Sequence, residues 1–162
     1  MDKSKNDLII IRVFDAPRER VWKTWTDPEM FRKWWGPQGF TSPVAKFDLK
    51  VGGKYLNCMR SPEDKDYWST GIYREIMEPE RLVMTDSFAD KEGNVVPATH
   101  YGLSADFPME MQISVRLEEQ AGKTKLTLKH SGTAGINEKD RSDMEQGWSQ
   151  SFDKLAQLLT KE

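Results

Sequence analysis

The stretch NEKDRSDMEQGWSQSFDKLAQLLT, residues 137–160, decides the fold. Met144, Trp148, Phe152, Leu155 and Leu159 recur at steps of four, four, three and four, which draws one apolar stripe along a helix. Asn137 has the short side-chain oxygen of a helix N-cap, and Glu138 and Asp140 suit the positive end of the helix dipole. Lys154 and Lys161 stand toward the opposite end, as the dipole prefers. From Glu138 to Thr160 such a helix runs about 34 Å, long enough to cross a sheet. Gly147 interrupts it at a cost of about 1 kcal/mol relative to alanine. Close packing of the helix on a strand is the expected reason, with space kept for a ligand as the alternative.

The residues before that helix change period from 3.6 to two. Met109, Met111, Ile113, Val115 and Leu117 alternate with Glu110, Gln112, Ser114, Arg116 and Glu118, the pattern of a strand with one wet and one dry face. Thr124 to His130 follows, with Leu126, Leu128 and His130 on one face. Further strands are expected over Leu8–Phe14, Val44–Leu49, Tyr55–Arg60, Tyr67–Met77 and Leu82–Phe88. Short turns such as Val51-Gly52-Gly53-Lys54 and Glu78-Pro79-Glu80-Arg81 join them, too short for parallel crossovers. Between the first two strands, Pro17 and Asp27-Pro28 open two short helices, marked by Val21, Trp22, Trp25 and then Met30, Phe31, Trp34. Residues 89–108 form a long loop with room for a small hairpin. The order gives an α+β helix-grip fold: a curved antiparallel sheet wrapped around the long C-terminal helix.

Bulk properties narrow the function. The chain has 162 residues, read as a short polar tail over 1–7 and a single domain over 8–162. Lys and Arg number 24 against 26 Asp and Glu, so no basic excess exists to neutralise phosphates and nucleic acid is not an expected partner. Cys58 is the sole cysteine, which rules out an internal disulfide and a cysteine-based zinc site. The polar start lacks the apolar core of a signal peptide, and no apolar run reaches membrane-spanning length. A cytoplasmic protein with no membrane partner is expected. It is read as a monomer, since the helix has no second apolar face.

Reactive motifs are missing. Ser104 and Ser131-Gly132 lack the surroundings of a nucleophile elbow, and Val51-Gly52-Gly53-Lys54 lies between strands instead of opening a helix. Two histidines and one cysteine without close spacing make no metal site, and no cofactor is expected. Asp48, Glu75 and Asp86 fall within expected strands; any that faced inward would be a candidate acid or base.

The run Ala16-Pro17-Arg18-Glu19-Arg20-Val21-Trp22, followed by Thr26-Asp27-Pro28-Glu29 and Trp34-Trp35-Gly36-Pro37, resembles the START-like SRPBCC superfamily. Within it the chain is similar to the branch of the C-terminal domain of the heat-shock-protein-90 ATPase activator. The likeness continues through Val51-Gly52-Gly53, Gly71-Ile72-Tyr73-Arg74-Glu75-Ile76, Pro79-Glu80-Arg81-Leu82-Val83 and Gln146-Gly147-Trp148. The resemblance implies a cavity between helix and sheet and a small apolar or amphipathic ligand. A cyclase or hydrolase on the same cavity, or a chaperone-interacting module, are the alternatives. The expected lining is Trp34, Trp35, Phe47, Trp68, Tyr73, His100, Tyr101, Met111, Ile113, His130, Met144, Trp148 and Phe152. His100, Tyr101 and His130 are the candidate polar contacts, with the loop around His100 as a gate.

Overall fold

The computed structural model describes residues 7–133 and 135–160; residues 1–6 of the expected tail and Lys161 lie outside the described residues. Asp7 sits 3.5 Å from Lys129 Nζ. Strand β1 (Leu8–Phe14) leads into helices α1 (Arg18–Thr26) and α2 (Pro28–Phe31). Strands β2 (Thr41–Phe47), β3 (Lys54–Arg60), β4 (Asp66–Met77), β5 (Arg81–Ala89), β6 (Met111–Gln120) and β7 (Lys123–Ser131) follow, and helix α3 (Glu138–Leu159) closes the chain. One curled seven-stranded sheet results, in the order β1-β7-β6-β5-β4-β3-β2, with every pair antiparallel.

Local chemistry explains the boundaries. The Asn137 side chain accepts from Asp140 N at 2.9 Å, and Asp27 accepts from Glu29 N at 3.0 Å, so both helices start on an Asx cap. In the β2–β3 turn, a Cβ on Gly53 would stand 2.0 Å from Asp48 O, which no other residue tolerates. Gly71 plays the same part within β4, where a Cβ would meet Thr85 O at 2.0 Å; that close approach lets Tyr55 Oη donate to the same carbonyl at 2.7 Å.

Two expected strand limits are corrected. β2 ends at Phe47, leaving Asp48 and Leu49 exposed in the turn that Gly53 tightens. β6 begins at Met111, because the β5–β6 ladder stops at the Asp86–Met111 pair; Met109 lies beyond it, half-exposed, and lines nothing. The 89–108 loop contains a turn in which Asp90 Oδ1 accepts from Glu92 N and Asn94 N, and a single 3-10 turn over Ala98–Tyr101.

The core lies between α3, α1 and the concave face of the sheet. Phe152 and Leu155 are fully buried, and Leu159 nearly so. They pack with Phe14, Trp25, Trp34, Leu117, Leu126 and Leu128. Arg12 on β1 adds a polar clamp, donating to Asp153 Oδ1 at 2.9 Å and to Ser149 O at 3.2 Å.

Candidate functional site

The two tryptophans at the end of α2 part company. Trp34 is fully buried and its indole N–H donates to Thr24 O at 2.8 Å, which fastens the turn to α1. Trp35 turns toward α3, stacking on Phe31 at 4.6 Å and meeting the Trp148 ring edge-on at 5.2 Å. Beyond Trp35 the turn has no regular structure. Lys154 reaches it from α3, its Nζ within 3.0–3.5 Å of the carbonyls of Trp35, Gly36, Pro37 and Phe40. Burial alone pushes the pKa of this ammonium down from its ordinary value.

On one side of Trp35 the interior is filled. Phe47, Tyr73 and Ile113, with Trp25, Phe31 and Tyr55, surround a void of only about 20 Å³, too small for more than a water molecule. On the other side a cleft of about 400 Å³ opens beside the first half of α3. Its helix wall is Asp140, Asp143, Met144, Gly147, Trp148 and Ser151. The 35–40 turn supplies Trp35, Pro37 and Phe40. The sheet contributes Met59, Tyr67, Trp68, Asp86, Phe88, Met111 and His130, and the loop adds Leu103 and Phe107.

At the sheet wall, His130 is 4% exposed and held from both sides. Trp148 Nε1 donates to His130 Nδ1 at 3.2 Å. An indole only donates, so Nδ1 is the acceptor and the proton of the neutral imidazole sits on Nε2. Nε2 stands 3.1 Å from Asp86 Oδ2, but off the line of its N–H, so the contact is electrostatic and Nε2 has no aligned hydrogen bond. Asp86 itself, on β5, remains 19% exposed and faces the cleft. The Trp148 indole thus occupies the Nδ1 lone pair, and the Nε2 proton lies beside Asp86. Other reactive groups are held neutral: burial first, then Asp66, pushes the Cys58 thiol up to about 11. Burial likewise raises Tyr55 and Tyr73.

The candidate lining residues therefore separate. Trp35, Trp68, Met111, His130, Met144 and Trp148 meet at the cleft. Phe47, Tyr73 and Ile113 surround the filled void, while Trp34 and Phe152 belong wholly to the core. Tyr101 is structural here: its Oη donates to Ala89 O and accepts from Trp68 N at 3.2 Å, pinning the loop under the strand. His100 is exposed, with its ring against Tyr101, and is not among the residues that line the cleft. From that loop, Leu103 and Phe107 line it. Of the three strand carboxylates, Asp48 is exposed, Glu75 pairs outward with Arg81 Nε at 2.7 Å, and Asp86 alone faces in. Gly147 also departs from expectation: a Cβ there would lie 3.6 Å from Pro37 Cγ, an ordinary contact, so the glycine widens the cleft and packs on no strand.

A long helix lying in a curled antiparallel sheet, with a cleft beside its first half, defines the helix-grip class of α+β domain. The chain belongs to the Activator of Hsp90 ATPase homolog 1-like protein family, whose model matches residues 15–160. Solved structures agree in fold. A protein from Chromobacterium violaceum is 27% identical, with a TM-score of 0.79, over 98% of this chain and 99% of its own. One from Nitrosomonas europaea is 23% identical with a TM-score of 0.80, over 99% and 97%. The AHSA1 protein of Silicibacter pomeroyi is 23% identical with a TM-score of 0.74, over 94% and 96%. No curated protein sequence matches the chain. No helix among the described residues is long and apolar enough to cross a membrane, and no cluster of His, Cys, Asp or Glu among them is arranged to hold a metal ion.

Proposed function

We propose that this domain binds a small apolar or amphipathic molecule in the cleft between the first half of α3, the 35–40 turn and the sheet. The observation that carries the reading is the cleft itself. Its volume of about 400 Å³ and its mostly aromatic and thioether lining fall in the range of small-molecule sites, which add a few polar groups to fix orientation. Met59, Met111 and Met144 make that lining adaptable. Recognition is favoured over a cyclase or hydrolase reaction, because His130 is locked as a donor and leaves Asp86 as the one candidate base at the sheet wall.

The test is an NMR titration of the tryptophan indole N–H signals with sterols, long-chain alcohols and polycyclic aromatics. Saturable shifts at Trp35, Trp68 and Trp148, with Trp34 unmoved, are expected. Shifts absent up to the solubility limit, or no larger at Trp35, Trp68 and Trp148 than at the core Trp34, would overturn the reading. The family description favours a second reading, a chaperone-interacting module. Stimulation of the ATPase of a cognate heat-shock-protein-90 chaperone would support it, and no change in ATPase rate would end it.

A further inference from the structure

The charges around the cleft are of one sign. Asp86 stands at the sheet wall, with Asp140 and Asp143 on the helix wall, and no Lys or Arg is among the lining residues. Neighbouring cations are committed elsewhere. Lys154 is spent on the carbonyls of the 35–40 turn, and Arg60 is paired with Asp66 at 2.7 Å. Lys65 lies over the outer ring of Tyr67 at 5.1 Å with its Nζ on Tyr101 O, and Arg141 donates to Thr133. A ligand with a carboxylate, sulfate or phosphate end would meet three carboxylates with no Lys or Arg in the lining to offset them.

A second observation points the same way independently of the acidic count. His130, 4% exposed, holds its Nε2 3.1 Å from Asp86 Oδ2 but with the N–H off that line, and Trp148 fixes the tautomer that puts the proton there. Asp86 is thereby left without an aligned donor from the sheet wall. Among the described residues no protein donor is aligned on the Asp86 carboxylate, which is 19% exposed and lines the cleft, so a donor entering the cleft meets an open acceptor. The walls around that point are aromatic, Trp35, Trp68, Phe88 and Trp148 among them, and such faces attract a desolvated cation.

From this, and resting on the ligand-binding reading above, we infer that the cleft selects an apolar or aromatic amine in its ammonium form. The ammonium sits against Asp86, and the apolar body lies between the 35–40 turn and α3. Asp143 at the exposed rim draws the same charge inward.

The experiment uses the full chain and one scaffold with three ends: 2-naphthylmethylamine, 2-naphthalenemethanol and 2-naphthoic acid at neutral pH, repeated with decylamine, decanol and decanoate. Tryptophan fluorescence gives Kd. The amine is expected to bind at least about 10-fold tighter than the alcohol, and the carboxylate more weakly than the alcohol. Raising NaCl from about 50 mM to about 500 mM should weaken the amine and leave the alcohol unchanged. Asp86→Asn should bring the amine to the affinity of the alcohol. Asp143→Asn, at an exposed position that cannot compromise folding, should weaken the amine by about 2-fold. An alcohol that binds as tightly as the amine, or a carboxylate that binds tightest, overturns the amine inference while leaving the ligand-binding reading intact. Failure of all six compounds to bind overturns both.

Discussion

The two halves of α3 do opposite things against the sheet. From Trp148 to Leu159 the apolar stripe carries Phe152, Leu155 and Leu159, all buried, and the helix is part of the core. From Glu138 to Gly147 that stripe carries Met144, and Asp140, Asp143 and Gly147 on the flank beside it make the helix one wall of a cleft. The backbone is continuous and the period unbroken. The difference lies only in side-chain size and charge: large apolar groups close the gap to the sheet, whereas small and acidic ones leave it open. One helix thus supplies both the stability and the site, in separate turns.

Substitutions can break that division. Phe152→Ala removes a ring that meets Phe14, Trp25, Trp34 and Trp148, and should cost about 3–5 kcal/mol, read by chemical denaturation. A cost below about 1 kcal/mol would mean that the second half is no more a core than the first. Lys154→Met keeps the length of the side chain but releases the 35–40 carbonyls. A loss of about 1–2 kcal/mol is expected, together with weaker binding of any cleft ligand. Gly147→Ala sharpens the comparison from the other side. Helix propensity should raise stability by up to about 1 kcal/mol, because the new methyl meets Pro37 at an ordinary distance, while affinity in the narrowed cleft falls.

The packed half was legible in the sequence because a 3.6-residue period of large apolar residues has one physical meaning, and the strand with Ile113, Val115 and Leu117 has another. The open half was less so. Running the stripe back one turn from Met144 arrives at Asp140, an acid where a core helix would carry a large apolar group, and that signal marks the cleft. Asp86 was findable in the same way: Leu82, Met84, Asp86 and Phe88 share one parity on β5, so the acid shares the inward face of its neighbours. Its partner His130 lies on β7, across β6, and only the register that pairs Met111 with Asp86 and Ile113 with His130 brings them together. Pairing across three strands leaves no trace in sequence spacing. The direction of His100 was not legible for a related reason: a loop of this length has no period from which direction can be read, and Tyr101 fixes it instead through its hydroxyl.

The Lys154 contacts bear on the rate at which the cleft opens. The 35–40 turn has no ladder of its own, and one ammonium gathers four of its carbonyls. Swinging that wall outward requires that Lys154, the Gln150 contact to Gln38 N at 3.1 Å and the Trp35–Trp148 ring contact let go, while the sheet and the second half of α3 stay folded. Such local opening draws on a small fraction of the global unfolding free energy, so exchange between solvent and cleft runs on its own clock, well ahead of unfolding.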